Sequence, residues 1–185
     1  MARTQERVWK SRPGRLQILP GKEALKQFAP LLMGYVPVGV AFGILSQQAG
    51  ISDLNTMLMS VLVYAGSAQL IAVGMVAAGA SPLTIVATTF IVNLRHMLMS
   101  AALAPYLKKW RAWQVIVLTL EMTDETFALH STRFAQGKHE AEDKPDVFSI
   151  NVLAHSTWVL STGLGLLSGS LIGDVKPLGM DYALP

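Results

Sequence analysis

The sequence predicts an all-α integral membrane protein of about five transmembrane helices, some kinked, broken or re-entrant, with traces of an incomplete internal repeat. Three observations predict it. Residues Leu54 to Leu94 run for 41 positions without an Asp, Glu, Lys or Arg. A bilayer core takes about 20 apolar residues per helix, so this run is long enough for two passes. Two further charge-free runs, Gln27 to Ser52 and Val147 to Gly173, each suffice for one. The chain as a whole is 51% hydrophobic and 15% charged, below the roughly 25% charge of soluble domains.

The charge that remains is unevenly placed. Residues 1–26 hold Arg3, Arg7, Lys10, Arg12, Arg15, Lys22 and Lys26 against Glu6 and Glu23. Residues 1–27 therefore read as a basic arm and 28–185 as one transmembrane domain. Positive segments stay on the cytoplasmic side, which orients the arm inward. The arm has no aromatic interleaving beyond Trp9 and precedes a span, so the expected surroundings are lipid and no nucleic acid. With no cysteine in the chain, disulfides, thiol nucleophiles and Cys-ligated zinc are excluded. No cofactor or metal is expected.

Span one covers about residues 28–49. Pro37 should kink it, and Gly39 and Gly43, four apart, form a small face for close helix packing. Span two, about 55–77, carries Tyr64-Ala-Gly-Ser-Ala-Gln69 near its centre, a composition suited to an unwound stretch or a tight crossing. Gly79-Ala-Ser-Pro82 ends it as a turn. Span three, about 83–106, has Arg95 at its middle. A central arginine costs about 2.5–3.5 kcal/mol on insertion scales and must face protein or water. Thr89, Asn93, His96 and Ser100 form a polar stripe on the same span.

Span four, about 113–134, has a greasy arc and an acidic arc, Glu121, Asp124 and Glu125 at i, i+3 and i+4. It is expected to span with its acids turned inward, toward Arg95; lying flat at the interface is the alternative. Span five, 147–173, recurs as Asn151, His155, Trp158, Thr162, Gly165, Gly169 and Gly173 on one face. Phe42-Gly-Ile-Leu-Ser46 and Leu164-Gly-Leu-Leu-Ser168 are alike, which suggests the repeat. With three simple passes the basic cluster Lys108, Lys109, Arg111 would lie opposite the arm, against the positive-inside bias. Either part of 54–94 is re-entrant or the cluster is an exception.

Five short motifs, in order, resemble one family. They are Gly34-Tyr-Val-Pro-Val-Gly39 with Ala41-Phe-Gly43, Tyr64-Ala-Gly-Ser-Ala-Gln69, Asn93-Leu-Arg-His96, Thr123-Asp-Glu-Thr-Phe127 and Pro177-Leu-Gly-Met-Asp181. Together they resemble the AzlC family, the large subunits of branched-chain amino acid exporters. The resemblance implies export of leucine, isoleucine and valine, with methionine as a further substrate. It also implies a small AzlD-type membrane subunit as partner, coupling to the proton gradient, and an inner (plasma) membrane location. Members of that family carry further spans, so the chain is expected to lack C-terminal ones.

The polar residues at membrane depth are the candidate site. Arg95 is expected to hold a substrate carboxylate or to balance Asp124 or Glu125 across helices. Gln69, Asn93 and Tyr64 are the other candidates for substrate binding. Asp124 and Glu125 are candidates for proton coupling, because a carboxyl in a low-dielectric cavity can cycle between its forms. His96 and His155 are candidate proton relays. His130 and His139 are expected to be solvated near the polar loop. A scaffold or partial subunit that needs a partner chain is the competing reading. An intramembrane hydrolase is weaker: His139-Glu140 lacks the second histidine of H-E-x-x-H, and there is no G-x-S-x-G.

Overall fold

The computed structural model describes residues 22–138 and 143–169. The described part is all-α. The basic arm up to residue 21, His139, Gly173 and the motif Pro177–Asp181 lie outside these residues.

Helix α1 spans Lys22–Gln48 and α8 spans Lys144–Gly169. α1 runs unbroken through Pro30 and Pro37. The two helices are parallel and in register. An added Cβ at Gly39 would meet Ser161, one at Gly43 would meet Thr162 and Gly165, and one at Gly169 would meet Gln47. At Gly43 it would overlap the Thr162 carbonyl oxygen, and at Gly165 that of Val40. Only a residue without a side chain allows backbones this near each other. The glycines of the two similar segments, Phe42–Ser46 and Leu164–Ser168, face one another across this seam. Phe42 and Tyr35 pack on Trp158 beside this seam.

The other hydrophobic segments are interrupted helices. Span two divides into α2 (Asp53–Leu62) and α3 (Gly66–Ala77). Span three divides into α4 (Pro82–Asn93) and α5 (Arg95–Leu103), separated by Leu94, and ends in a 3-10 turn over Ala104–Tyr106. Span four divides into α6 (Ala112–Leu120) and α7 (Asp124–Ala135).

Contacts along α8 fix the path of each. α6 starts beside the N-terminal end of α8: Lys144 Nζ donates to Gln114 Oε1, 3.0 Å, and Trp113 stacks on Phe148. It ends halfway along, where Glu121 meets His155. α7 then returns to the same end, where Arg133 pairs with Asp146 and Phe134 lies against Trp110. Span four is therefore a re-entrant hairpin, neither a full pass nor a surface helix. The turn at residues 121–123 lets Thr123 cap a new helix, and that capping chemistry interrupts the apolar pattern.

The α2–α3 hairpin enters from the opposite end. Asp53 accepts from Gln47, Ser60 bonds Thr162, and Tyr64 stacks on His155. Arg95 meets Asp124 at mid-height, and Leu103 lies with Trp110, Phe134 and Val147 at the α8 N-terminal end. The nearly continuous α4–α5 helix, 25 residues with its terminal turn, therefore crosses the whole molecule. α3 packs on α4 through the turn 78–81 and climbs back to the side from which α2 came. Among the described residues, three helices are long and apolar enough to span, Leu25–Gln48, Pro82–Tyr106 and Lys144–Gly169. With α2–α3 re-entrant, Lys108–Arg111 falls on the same side as the start of α1. The first of the two alternatives for the basic cluster is the one the fold takes.

Candidate functional site

The breaks in spans two, three and four lie side by side. Each leaves the N-terminus of a half-helix (α3, α5 and α7) at the wall of one cavity of about 150 Å³. Free backbone N–H groups and the helix dipole make such termini attractive to anions. At about 30 Å³ per water, the cavity holds about five waters or one small solute.

Each terminus is built from its sequence. Gln69 Oε1 accepts from the Ala65 N–H, 3.0 Å, and so caps α3 from within. Just before it, Tyr64 has φ +43°, a left-handed conformation that is strained for a bulky residue. α7 begins with Thr123 as cap: its Oγ1 accepts from the Thr126 N–H at 3.4 Å while the Thr123 N–H donates to Thr126 Oγ1 at 2.8 Å, and Asp124 and Glu125 occupy its first turn. Acids there suit both the cap and the dipole. α5 begins at Arg95 with no side-chain cap.

Arg95 reaches across the cavity. Its Nη1 lies 2.6 Å from Asp124 Oδ2 and donates to Ser67 Oγ at 3.1 Å. Arg95 Nε and the buried indole N–H of Trp158 have no partner among the described residues. Tyr35 hydrogen-bonds Thr123 across the cavity wall. Gly34, Val38 and Leu70 supply apolar lining.

Of the residues expected from sequence, Tyr64, Arg95, His96, Asp124 and Glu125 line this cavity. Gln69, Asn93 and His155 do not. Gln69 is buried and serves α3, while its Nε2 stays unpartnered. Asn93 closes α4 with its Oδ1 unpartnered, and its carbonyl faces His96 Nδ1 at 3.1 Å. His155 stands behind Tyr64, its ring stacked at 4.1 Å between centroids. Its Nδ1 meets Glu121 Oε2 at 2.8 Å and its Nε2 the Ser60 carbonyl at 3.2 Å. That pair lines a separate open groove with Val61, Val117 and Val152.

His130 corrects a sequence expectation. It is fully buried, and its Nε2 donates to Asn151 Oδ1 at 2.7 Å. The return of α7 along α8 carries it into the interior and away from the loop. Tyr35 and Thr123 are site residues that the sequence reading passed over. The signal for Thr123 was present, since a threonine followed by two acids marks a helix start inside an apparent span. Tyr35 offered none beyond a tyrosine next to a glycine in an apolar run.

Comparison with known proteins is consistent with this picture. Residues 30–172 match the family model described as AzlC protein. An "uncharacterized membrane protein" of Helicobacter pylori is 33% identical over 88% of this chain and 70% of its own length. Inner membrane protein YgaZ of Escherichia coli is 28% identical over 80% of this chain and 60% of its own. The branched-chain amino acid transport protein AzlC of Bacillus subtilis is 25% identical, over 88% and 63%. No solved structure matches the chain. A membrane-helix fold around one polar cavity, together with a family match over most of its length, establishes that this chain belongs to the AzlC family.

Proposed function

We propose that the chain is a transporter subunit that exports branched-chain amino acids, leucine, isoleucine and valine, with methionine as a further substrate. The observation that carries this reading is the Arg95–Asp124 pair facing the cavity. A charge at membrane depth needs a counter-charge. An amino-acid zwitterion brings both signs at once. Its carboxylate takes up Arg95 and the free donors Arg95 Nε and Trp158 Nε1; its ammonium takes up Asp124 and Glu125. The internal pair opens and the net charge of the site is unchanged. Val38 and Leu70 then meet an aliphatic side chain. The name of the Bacillus subtilis relative, a branched-chain amino acid transport protein, supports this choice of substrate.

In this reading Tyr64 backs the bound solute, and Gln69 and Asn93 support it by holding α3 and α4. Asp124, Glu125 and His96 are the groups placed to exchange a proton at the cavity, with His155 behind them. The chain works in the inner (plasma) membrane with its basic arm on the cytoplasmic side, beside a small AzlD-type subunit. It acts by binding and release, not as an enzyme. A scaffold would have no use for orphaned donors around a cavity.

Binding of labelled leucine to the purified chain tests the proposal. Leucine should bind and compete with valine and isoleucine, while leucinamide and 4-methylpentanoate, each lacking one charge, should not. Undiminished leucine binding by Arg95→Gln would refute the assignment of Arg95.

A further inference from the structure

The cavity lies at the tips of the re-entrant hairpins, and each hairpin buries a polar stripe that leads to it. On α7, Thr126, His130 and Arg133 recur at i, i+4 and i+7, one face of a helix. They are 0%, 0% and 3% exposed; His130 bonds Asn151 of α8, and Arg133 bonds Asp146 of α8 and Gln27 of α1. The stripe starts at Thr123 on the cavity wall and ends where Arg133 holds Asp146 and Gln27. On α2, Asp53, Thr56 and Ser60 recur in the same way, with Thr56 and Ser60 fully buried and Ser60 bonded to Thr162. One turn further on, Tyr64 lines the cavity.

At about 1.5 Å per residue the α2 stripe, counted from Asp53 to Tyr64, is about 16 Å long and the α7 stripe about 15 Å. End to end they match a hydrocarbon core of about 30 Å. Both stripes also carry hydrogen-bonding atoms with nothing to bond. Thr56 Oγ1, His130 Nδ1 and Arg133 Nε on the stripes, and Asn151 Nδ2 of α8 beside His130, are buried without partners among the described residues. Interiors rarely leave such groups empty, and a group of them along one seam is what internal water satisfies.

We propose that these two seams are the two legs of one aqueous route for a small polar solute. The Thr56–Ser60 leg joins the cavity to the face where α1 ends. The Thr126–His130–Arg133 leg joins it to the face of Lys108–Arg111. Each hairpin gates its own leg by moving against the fixed α1–α8 pair. This rests on the transport reading and adds the path to it.

The cysteine-free chain allows a direct test. Single cysteines replace Thr56, Ser60, Thr126 or His130, and a small impermeant thiosulfonate is applied to one face of oriented vesicles. Val73→Cys and Ile150→Cys are controls, since both side chains are apolar and fully buried. Thr126→Cys and His130→Cys should react from the face that labels Lys109→Cys. Thr56→Cys and Ser60→Cys should react from the opposite face. Each should react about tenfold faster than the controls, because the thiolate that attacks needs water. Rates no faster than the controls, or both legs labelled from one face, would overturn the route. Should His130→Cys fail to insert, Thr126→Cys reads the same leg. The labelling needs no substrate, so its failure leaves leucine binding standing, and a failed binding test leaves the labelling prediction intact.

Discussion

At the scale of single residues, Arg95 is the group on which the site turns. Its guanidinium has three nitrogens to share, and Asp124 and Ser67 both hold Nη1. Arg95→Lys keeps the charge but loses the planar fork that binds a carboxylate at two points. It should therefore bind leucine more weakly than the parent, by about tenfold or about 1.4 kcal/mol, while Arg95→Gln binds none; equilibrium binding measures both. Thr123 is a second sensitive position. Thr123→Ala removes the α7 cap, a loss of about 1 kcal/mol, and also the partner of Tyr35. A fall in the detergent-solubilised melting temperature together with weaker leucine binding is expected. Thr119→Ala, whose hydroxyl bonds back to its own helix, should change neither. That Arg95 would face protein and meet an acid was legible in the sequence, because a lone charge inside an apolar run needs a counter-charge. His130 was misread because its burial depends on the turn at residues 121–123, and linear position gave no sign of it.

At the scale of elements, breaks do the organising. Hydropathy counts apolar residues and passes over a two- or three-residue interruption, so spans three and four read as single helices, while only the Tyr64–Gln69 composition marked span two for an unwound stretch or a tight crossing. The interruptions are signalled by caps: Thr123 before two acids, and the glutamine that reaches back to Ala65. The glycine faces were legible, because small residues four apart leave a mark in any helix. They lead to a sharp contrast in stability. Gly43→Ala and Gly165→Ala drive a Cβ into a facing backbone carbonyl and should lower the melting temperature markedly. Gly34→Ala, where a Cβ meets nothing within 4 Å, should be neutral or slightly stabilising, since alanine favours a helix by about 1 kcal/mol. Thermal unfolding in detergent separates the three. A Gly43→Ala protein as stable as Gly34→Ala would mean that the α1–α8 seam is not this close.

At the scale of the whole molecule, the class was legible and the topology was not. Long uncharged runs announce helices in lipid, but a run of forty residues gives the same signal whether it crosses twice or dips, returns and then crosses. The sign of the basic cluster was the one clue, and it became decisive once the contacts along α8 were known. The fold places Lys109 and the start of α1 on one face, and Asp53 and the turn 78–81 on the other. Cysteines at Lys22 and Lys109 should react with an impermeant maleimide from one side of the membrane. Cysteines at Asp53 and Ala80 should react from the other. Labelling of Lys109 and Lys22 from different sides would remove the re-entrant α2–α3 hairpin.

The parallel pairing of α1 with α8 has a consequence for how the protein is made. Gly43 and Gly165 stand 122 positions apart in the chain, so the contact that closes the bundle is absent until nearly all the described sequence has left the ribosome. Until then α1 has no glycine partner, and Arg95 must wait in the bilayer, or at the insertion machinery, for Asp124 to arrive. Assembly of this kind is governed by distant encounters and is slow. The half-built protein exposes its polar interior for the whole of that interval.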